Sequence, residues 1–371
     1  PRCNAGNDNT CPILYNRRMM TRHRITITFA FLLLTLITVG LFPSTACAAV
    51  DAKGAAHLKT MFETLLQQQK AEIDDEQTQL KLDGAVMVEP ADGYYAVTLP
   101  HLSAQSTDGA RLDIGIIALN VMPTDDPLQW KMTLALPSPI TFYNTPEKAF
   151  TVAVGKQYFA GVWHEKFENF TKLKAQYKNI SLYTADRAFN ITIPDITVVS
   201  DLAENASHLW SGPAQLTLSG LTVSLPDGGK ASIGKISGTS TIFDYSMEAA
   251  AAYRENLRAL GESYQAGEDS PSAQHVSGIY NMVTEFMGKV WDGFTMSVEA
   301  GDILLTRPPI PGSPAGELKL AKAGFSFDML GFRKNSVTLR LALNYAVNRK
   351  DLVRNDILGI GRVIASLSMP G

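Results

Sequence analysis

The chain has 371 residues, of which 45% are hydrophobic and 19% are charged, and its formal net charge is −3. Residues 1–49 hold five of the 33 basic residues and one of the 36 acidic residues, so the remainder carries a net charge of −7. An acidic balance without a basic stripe argues against a nucleic-acid partner. The length beyond residue 49 is enough for one long β domain or two smaller ones.

The first 49 residues are predicted to be a non-native leader and a signal peptide. The chain begins with Pro1, and we expect the natural start at Met19 or Met20. Arginines precede an apolar run over residues 25–42, and small residues around Cys47 follow it. A basic segment, an apolar run and a small-residue cleavage site are the three parts of a secretory signal. The sequence therefore predicts export to the periplasm or cell envelope.

Two alternatives remain open for this leader. The apolar run just reaches the length that spans a bilayer, so an uncleaved leader would anchor the protein through residues 25–42. Cys47 follows small residues, as in a lipoprotein signal, although Ser44 stands where an aliphatic residue is preferred. We expect membrane association only if the leader is retained or Cys47 is lipidated. Because Cys3 and Cys11 also precede the predicted cleavage site, the mature chain would have no disulfide and no catalytic thiolate.

The next predicted element is an N-terminal helix within residues 50–82. Its apolar residues recur at the spacing of one helix face, at Leu58, Met61, Phe62, Leu65 and Leu66. Residues 83–244 form a β-repeat region in which short runs alternate between apolar and polar residues, as β-strands do. One exception is a mixed segment, residues 159–179, where a short helix is predicted around residues 162–174.

One stretch of this β region occurs twice. Residues 98–117 read TLPHLSAQSTDGARLDIGII, and residues 217–236 read TLSGLTVSLPDGGKASIGKI, which align without a gap at an offset of 119. Each copy contains an Asp-Gly pair, which accepts the positive φ of a tight turn. Alternating apolar residues flank the pair, and in the second copy the period shifts at Gly220. Each copy is therefore predicted to be an antiparallel hairpin, and weaker copies are predicted at residues 192–198 and 296–325.

Residues 245–293 are predicted to form a helical hairpin. Its first arm, residues 247–260, is rich in helix formers, and its second arm, residues 276–291, has one wide apolar stripe. Residues 294–371 form a C-terminal β-repeat region, although the end of the chain, residues 351–368, fits a helix or a strand. The predicted fold is α+β, mainly β: a long twisted antiparallel sheet of hairpin repeats, as a curved half-barrel or a sandwich, with two or three packed amphipathic helices.

The repeat resembles known envelope proteins. The succession of TLxxL, an Asp-Gly turn and IGxI is similar to bacterial proteins of the AsmA-like kind, and to an uncharacterised family of exported proteobacterial proteins with long antiparallel sheets. The segments GKQYFAGVWHEKFENF, with Trp163, and WSGPAQLTLSGL, with Trp210, add to the resemblance, which covers residues 85–347. The AsmA-like resemblance implies lipid transport along an apolar groove and no catalytic residues. This chain is much shorter than the members that bridge two membranes.

Three motifs that suggest catalysis or metal binding lack the required context. The segment HEKFE at residues 164–168 has no second histidine one helical turn on, as a zincin needs, and a polar surface helix is predicted there. Ser232 and Lys235 have serine–lysine spacing but fall on a predicted strand instead of opening a helix. Residues 228–230 lack the spacing of a phosphate loop. We therefore expect no enzyme activity, no metal and no cofactor, with an envelope hydrolase as the least supported alternative.

The candidate functional feature is the apolar face of the predicted sheet, which we expect to bind lipid or another hydrophobic small molecule. Burying a Leu or Val is worth about 1.5–3 kcal/mol, so a row of exposed ones needs a ligand or partner. In one alternative the helices cover this face as an ordinary core. In another, the protein is a structural module whose sheet edge or proline-rich loop binds envelope proteins. The residues expected on the face are Val97, Leu99, Leu112, Ile114, Leu134, Leu221, Val223, Leu225, Leu339, Leu341 and Leu343.

Overall fold

The structure is a computed structural model that describes residues 50–75, 77–145, 148–253, 286, 288–309, 315–334, 336–346 and 361–370. The predicted leader with Cys47, most of the predicted helical hairpin and part of the proline-rich loop lie outside these residues. No helix in the described ranges combines the length and the apolar character needed to cross a membrane.

Strands make up most of the described residues, and all of their pairings are antiparallel. This confirms the predicted fold class, which is α+β, mainly β, with one long antiparallel sheet of hairpins. In chain order the strands are β1 (Thr78–Asp83), β2 (Met87–Pro90), β3 (Tyr95–Thr98), β4 (His101–Ser106), β5 (Arg111–Gly115), β6 (Ala118–Pro123), β7 (Gln129–Ala135), β8 (Ile140–Thr145), β9 (Lys148–His164), β10 (Asn169–Thr184), β11 (Asn190–Asp201), β12 (Ala203–Glu204), β13 (Trp210–Ser224), β14 (Lys230–Tyr245), β15 (Gly293–Arg307), β16 (Gly316–Leu330), β17 (Ser336–Ala346) and β18 (Gly361–Pro370).

A helix, α1 (Ala52–Ile73), precedes the sheet and packs on β1 and β2. Asp51 caps its start, because the side-chain Oδ1 accepts a hydrogen bond of 2.7 Å from the backbone N–H of Gly54. Two residues of the predicted apolar stripe, Leu58 and Phe62, are buried. The predicted N-terminal helix is therefore present, and it ends before β1 begins.

The strand β9 joins two groups of short strands to a series of long ones. Its first part pairs with β8, and the neighbours continue through β5 and β4 to β1. Its last part pairs with β7, and the neighbours continue through β6 and β3 to β2. Buried and less buried side chains alternate in these short strands, and Val97 and Val121 are fully buried. The short strands thus hold the most buried core of the described part.

The long strands follow one another from β9 to β18. Each pairs with the next along the chain, except that β11 pairs with β13 while the two-residue β12 lies beside the start of β13. Within the described ranges, β18 has β17 as its single partner. We call the strands from β10 to β17 the meander.

Both copies of the repeated segment are hairpins that pair in the same register next to the turn. In the first copy Ala104 faces Leu112, and the residues 119 positions later, Val223 and Ala231, face each other in the second copy. The turns are also alike. Asp108 Oδ1 accepts a hydrogen bond of 3.1 Å from the backbone N–H two residues on, and Asp227 Oδ1 accepts one of 2.9 Å. The copies differ in the middle of each arm, where the first copy is broken into β3 and β4, and into β5 and β6, while β13 and β14 are continuous.

A row of unusual backbone conformations crosses the meander. Asn179 in β10, Gly220 in β13 and Asp302 in β15 have positive φ angles of 54°, 71° and 54°. The strand registers place them side by side, with Pro194 of β11 and Gly234 of β14 between them. We call these five residues the crease row. Side chains alternate strictly only in extended backbone, so a left-handed residue accounts for the one-residue shift of the apolar period that the sequence shows at Gly220.

The helix predicted around residues 162–174 is wrong. This segment contains the end of β9, a single 3₁₀ turn at Glu165–Phe167 and the start of β10. The turn interrupts the period-two pattern of the two strands, and the interrupted pattern resembles helical spacing.

Two further predicted segments are described in part. The sequence of residues 351–368 fitted a helix or a strand, and residues 361–370 form the strand β18. Of the predicted helical hairpin, residues 247–253, which we call α2, and residues 288–290 are helical.

Candidate functional site

One side of the meander is lined by apolar side chains that lie directly opposite one another on successive strands. Residues that face each other across an antiparallel pair project from the same side of the sheet. The first row consists of Ala175, Val198, Leu216, Gly238, Val298, Phe325 and Leu343. The second row, two residues along each strand, consists of Tyr177, Ile196, Leu218, Ile236, Ala300, Ala323 and Tyr345. We call these two rows the apolar face.

The apolar face is buried at β10 and more exposed in the strands that follow. Ala175 and Tyr177 in β10 are buried, and Val198 in β11 is half-buried. By contrast, Leu216 in β13 is 40% exposed and Leu343 in β17 is 44% exposed. The first row is therefore covered at β10 and carries exposed side chains at β13, β15 and β17, whereas the second row is half-buried from Ile196 to Tyr345.

The opposite side of the same strands is polar. The row that lies between the two apolar rows consists of Gln176, Thr197, Thr217, Ser237, Glu299, Gly324 and Asn344. A next row begins with Lys178 and Asp195, whose side chains form an ion pair of 3.8 Å. In an antiparallel sheet of this kind, the polar side can face water, whereas the apolar side is stable when another part of the protein, a ligand or a partner packs on it.

Aromatic residues continue the apolar face toward the helical residues. The ring centroids of Trp291 and Phe294 are 5.7 Å apart, and those of Phe294 and Phe327 are 5.5 Å apart. Phe327 lies two residues from Phe325 of the first row, and therefore on the same side of β16. Met247 of α2 and Val290 are buried nearby, where the backbone N–H of Ser246 donates to the carbonyl of Val290.

The predicted site residues fall into two groups of different burial. Those in the short strands are buried or half-buried: Val97, Leu112 and Ile114 are buried, and Leu99 and Leu134 are half-buried. Those in the meander are half-buried or exposed: Leu221, Val223 and Leu339 are half-buried, and Leu225, Leu341 and Leu343 are exposed. The structure thus does not bring all eleven into one open surface.

Sequence reasoning missed the residues at the centre of the apolar face. Leu216 and Leu218 precede the crease row in β13, and Val298 and Phe325 face each other in β15 and β16. The signal was present, because each of these strands alternates between apolar and polar residues on that side of the crease row. In β15, the left-handed residue Asp302 shifts the alternation of apolar and polar residues by one position, so a single period does not fit the whole strand.

The segment at residues 164–168 does not form the polar surface helix that we predicted. His164 is buried at the end of β9, where burial lowers its pKa, and its ring centroid is 4.4 Å from that of Phe167. Glu165 Oε2 accepts a hydrogen bond of 3.0 Å from Trp130 Nε1 and lies 2.9 Å from His57 Nε2 of α1. The segment therefore ties the turn after β9 to α1, beside a cleft of about 350 Å³.

The other sequence motifs occupy strand and turn positions. Ser232 and Lys235 lie on β14, as predicted, on either side of Gly234 in the crease row. The glycines at residues 228–229 belong to the Asp-Gly turn, and Lys230 begins β14. In the part of the chain that the structure describes, no group of three or more His, Cys, Asp or Glu side chains is placed to hold a metal ion.

Comparison with protein-family models, with curated protein sequences and with solved structures gives no significant match for this chain.

Proposed function

We propose that the protein binds lipid or another hydrophobic molecule along the apolar face, as a non-catalytic component of the cell envelope. The observation that supports this most is the exposure of large apolar side chains in the middle of a sheet. Leu216 and Val298 are 40% and 37% exposed, although strands pair on both sides of each. The predicted leader supports the envelope location.

The exposed side chains of this face would each contribute free energy to the binding of an apolar ligand. Fully burying a Leu side chain is worth about 1.5–3 kcal/mol, so covering the exposed 40% of Leu216 would contribute about 0.6–1.2 kcal/mol. Val298 and Leu343 offer similar amounts, and they lie in the same row as Leu216. A chain of methylene groups laid along the row would gain these contributions together.

Two measurements test the proposal. Purification from the native host without detergent, followed by lipid mass spectrometry, is expected to recover a bound lipid. Titration with the neutral probe N-phenyl-1-naphthylamine, after delipidation, is expected to show binding that Val298→Asp weakens at least tenfold. The matched control is Val199→Asp, because Val199 is also 37% exposed but faces Gln215 on the opposite side of the meander. Absence of lipid together with equal probe binding by the two variants would contradict the proposal.

One observation favours a second candidate, a structural or protein-interaction module of the envelope. In the described part of the chain β18 pairs with β17 alone, so the backbone groups of its outer edge are available to a strand of a partner protein. Crosslinking in the envelope fraction tests this candidate. A reproducible partner together with a lipid-free apolar face would favour it over lipid binding, and the absence of any reproducible partner would count against it.

A further inference from the structure

Gly238 of β14 leaves a gap in the first row of the apolar face. Its neighbours in the row are Leu216 of β13 and Val298 of β15, which are 40% and 37% exposed. The next residue on this side of β14 is Ser240, which is also small. Two small residues on a strand that lies between larger apolar side chains form a slot along that strand. We call it the β14 slot, with Gly238 and Ser240 as its floor and with Leu216 and Val298 as its walls.

The β14 slot has the width of one carbon chain. Neighbouring strands lie about 4.7–4.9 Å apart, so the two walls, on either side of β14, stand about 9–10 Å apart. Carbon atoms in contact lie about 3.5–4.0 Å apart, so one chain between two walls needs about 7–8 Å and two chains side by side need about 10.5–12 Å. A Cβ built on Gly238 confirms this width, because it lies 3.7 Å from Leu216 Cβ and 3.9 Å from Val298 Cγ2.

The floor and the walls of the β14 slot are accessible to a ligand. Gly238 and Ser240 are half-buried, and both walls are exposed. Along β14 the slot is flanked on the same side by Ile236 and Ile242, so its ends are apolar as well. An apolar chain that displaces water from such a slot removes apolar surface from solvent, both its own and that of the walls.

We infer that the β14 slot holds one unbranched alkyl chain of the bound molecule, and that Gly238 determines this specificity. The inference rests on the proposed function and specifies the class of hydrophobic ligand. The chain crosses the first row at Gly238 and contacts Leu216 and Val298 at the same time. A ring system or a methyl-branched chain is wider than the slot, and a side chain at position 238 would occupy the space of the bound chain.

Isothermal titration calorimetry on the delipidated full chain tests the inference with two detergents below their critical micelle concentrations. Dodecyl maltoside and 6-cyclohexylhexyl maltoside share a head group and the number of hydrophobic carbon atoms, but the second ends in a ring. The variants Gly238→Ala and Gly238→Val fill the slot in two steps. The matched control is Gly324→Val, because Gly324 faces Glu299 on the polar side of the meander, and a Cβ built on it meets its nearest heavy atom at 3.4 Å.

The wild-type protein is expected to bind dodecyl maltoside at least threefold more tightly than the ring-containing detergent. Each buried methylene group contributes about fourfold to an affinity, so Gly238→Ala should weaken the binding of dodecyl maltoside about fourfold and Gly238→Val at least tenfold. Gly238→Val should also lose the preference between the detergents, whereas Gly324→Val should keep both affinities within about twofold. Both Gly238 variants should unfold at the same or a higher urea concentration than the wild type, because alanine and valine suit a strand better than glycine does.

Several results would overturn the inference and leave the proposed function intact. These are equal binding of the two detergents by the wild type, equal losses of binding in Gly238→Val and Gly324→Val, or tighter binding of dodecyl maltoside by either Gly238 variant. If Gly238→Val is less stable than the wild type, the fourfold loss expected for Gly238→Ala decides the question.

The lipid recovered from the native protein gives a second test. A glycerolipid and a free fatty acid both carry an unbranched alkyl chain, and mass spectrometry distinguishes these two sources. Recovery of only ring-containing or methyl-branched lipids would contradict the inference. Failure of both detergents and of N-phenyl-1-naphthylamine to bind the wild type would instead remove the proposed function.

Discussion

Replacement of Gly220 by alanine tests whether the left-handed backbone of the crease row is present in the folded protein. Gly220 has a φ of +71°, and an alanine held in left-handed backbone costs about 1–2 kcal/mol. The new Cβ would also lie 2.9 Å from Cγ and 3.1 Å from Cδ of the Pro194 ring, which is rigid. Overpacking of this kind costs about 1–3 kcal/mol. Alanine also restricts the unfolded chain more than glycine does, which stabilises the folded state by about 0.4–1 kcal/mol. We therefore expect Gly220→Ala to lower the free energy of unfolding by about 2–3 kcal/mol.

The control for this substitution lies in the neighbouring strand. Gly238 faces Leu216 in the first row, and a Cβ built on it meets its nearest heavy atom at 3.7 Å, which is ordinary van der Waals contact. Gly238→Ala is therefore expected to leave the free energy of unfolding unchanged or to raise it by up to about 1 kcal/mol. Adding Pro194→Ala to Gly220→Ala removes the steric part but costs about 0.4–1 kcal/mol through the freer unfolded chain, so the double variant should recover less than half of the loss.

Urea unfolding followed by tryptophan fluorescence measures all three variants against the wild type. The expected order of midpoints is Gly238→Ala highest, the double variant intermediate and Gly220→Ala lowest. If Gly220→Ala unfolds at the same urea concentration as Gly238→Ala, the left-handed backbone and the close approach to Pro194 do not exist in solution. The explanation of the shifted apolar period would then fail.

Two further predictions concern the covered core and one ion pair. Leu173→Ala, at a fully buried position of β10, should lower the free energy of unfolding by about 2–5 kcal/mol. Leu343→Ala, at a position 44% exposed, should lower it by about 1 kcal/mol, because little more than half of the side chain is buried. Similar losses in urea unfolding of the two variants would refute the difference in burial. For Asp292, burial alone would raise the pKa, but the hydrogen bond of 3.0 Å from Lys334 and the backbone N–H of Arg333 outweigh it and lower the pKa below the ordinary 3.8. The folded state therefore favours the ionised carboxylate, so its contribution is present above about pH 4 and is lost as the pH falls through the folded pKa. Asp292→Asn should be less stable than the wild type at pH 7, and the difference between their urea midpoints should shrink as the pH falls below 4. A difference that stays constant as the pH falls would contradict the assignment.

The hairpin repeat was predictable because short-range chemistry determines it. An Asp-Gly pair sets both the turn and the register of the strands that it joins, and the alternation of apolar residues indicates which of them share a side. The helix predicted around residues 162–174 failed for an equally local reason. The 3₁₀ turn at Glu165–Phe167 offsets two strands, and the combined spacing of their apolar residues imitates a helical stripe.

The burial of the predicted site residues was not predictable from the same patterns. Val97 and Leu216 are 119 positions apart and occupy equivalent places in the two hairpins, facing Leu119 and Gly238. Periodicity assigns both to the apolar side of a strand. It contains no information on which other element covers that side, and in the structure Val97 is buried while Leu216 is 40% exposed.

The difference between these two residues follows from where the hairpin arms break. In the first copy the arms break in the middle, so that β3 and β6 belong to one group of short strands while β4 and β5 belong to the other. The left-handed residue there is Gly115, on the second arm, with a φ of 91°. In the second copy it is Gly220, on the first arm, and both arms stay continuous. A broken arm lets its two halves join different sets of neighbours, whereas a continuous arm keeps its whole apolar side in one row. The same duplicated hairpin therefore supplies core in its first copy and the open part of the apolar face in its second.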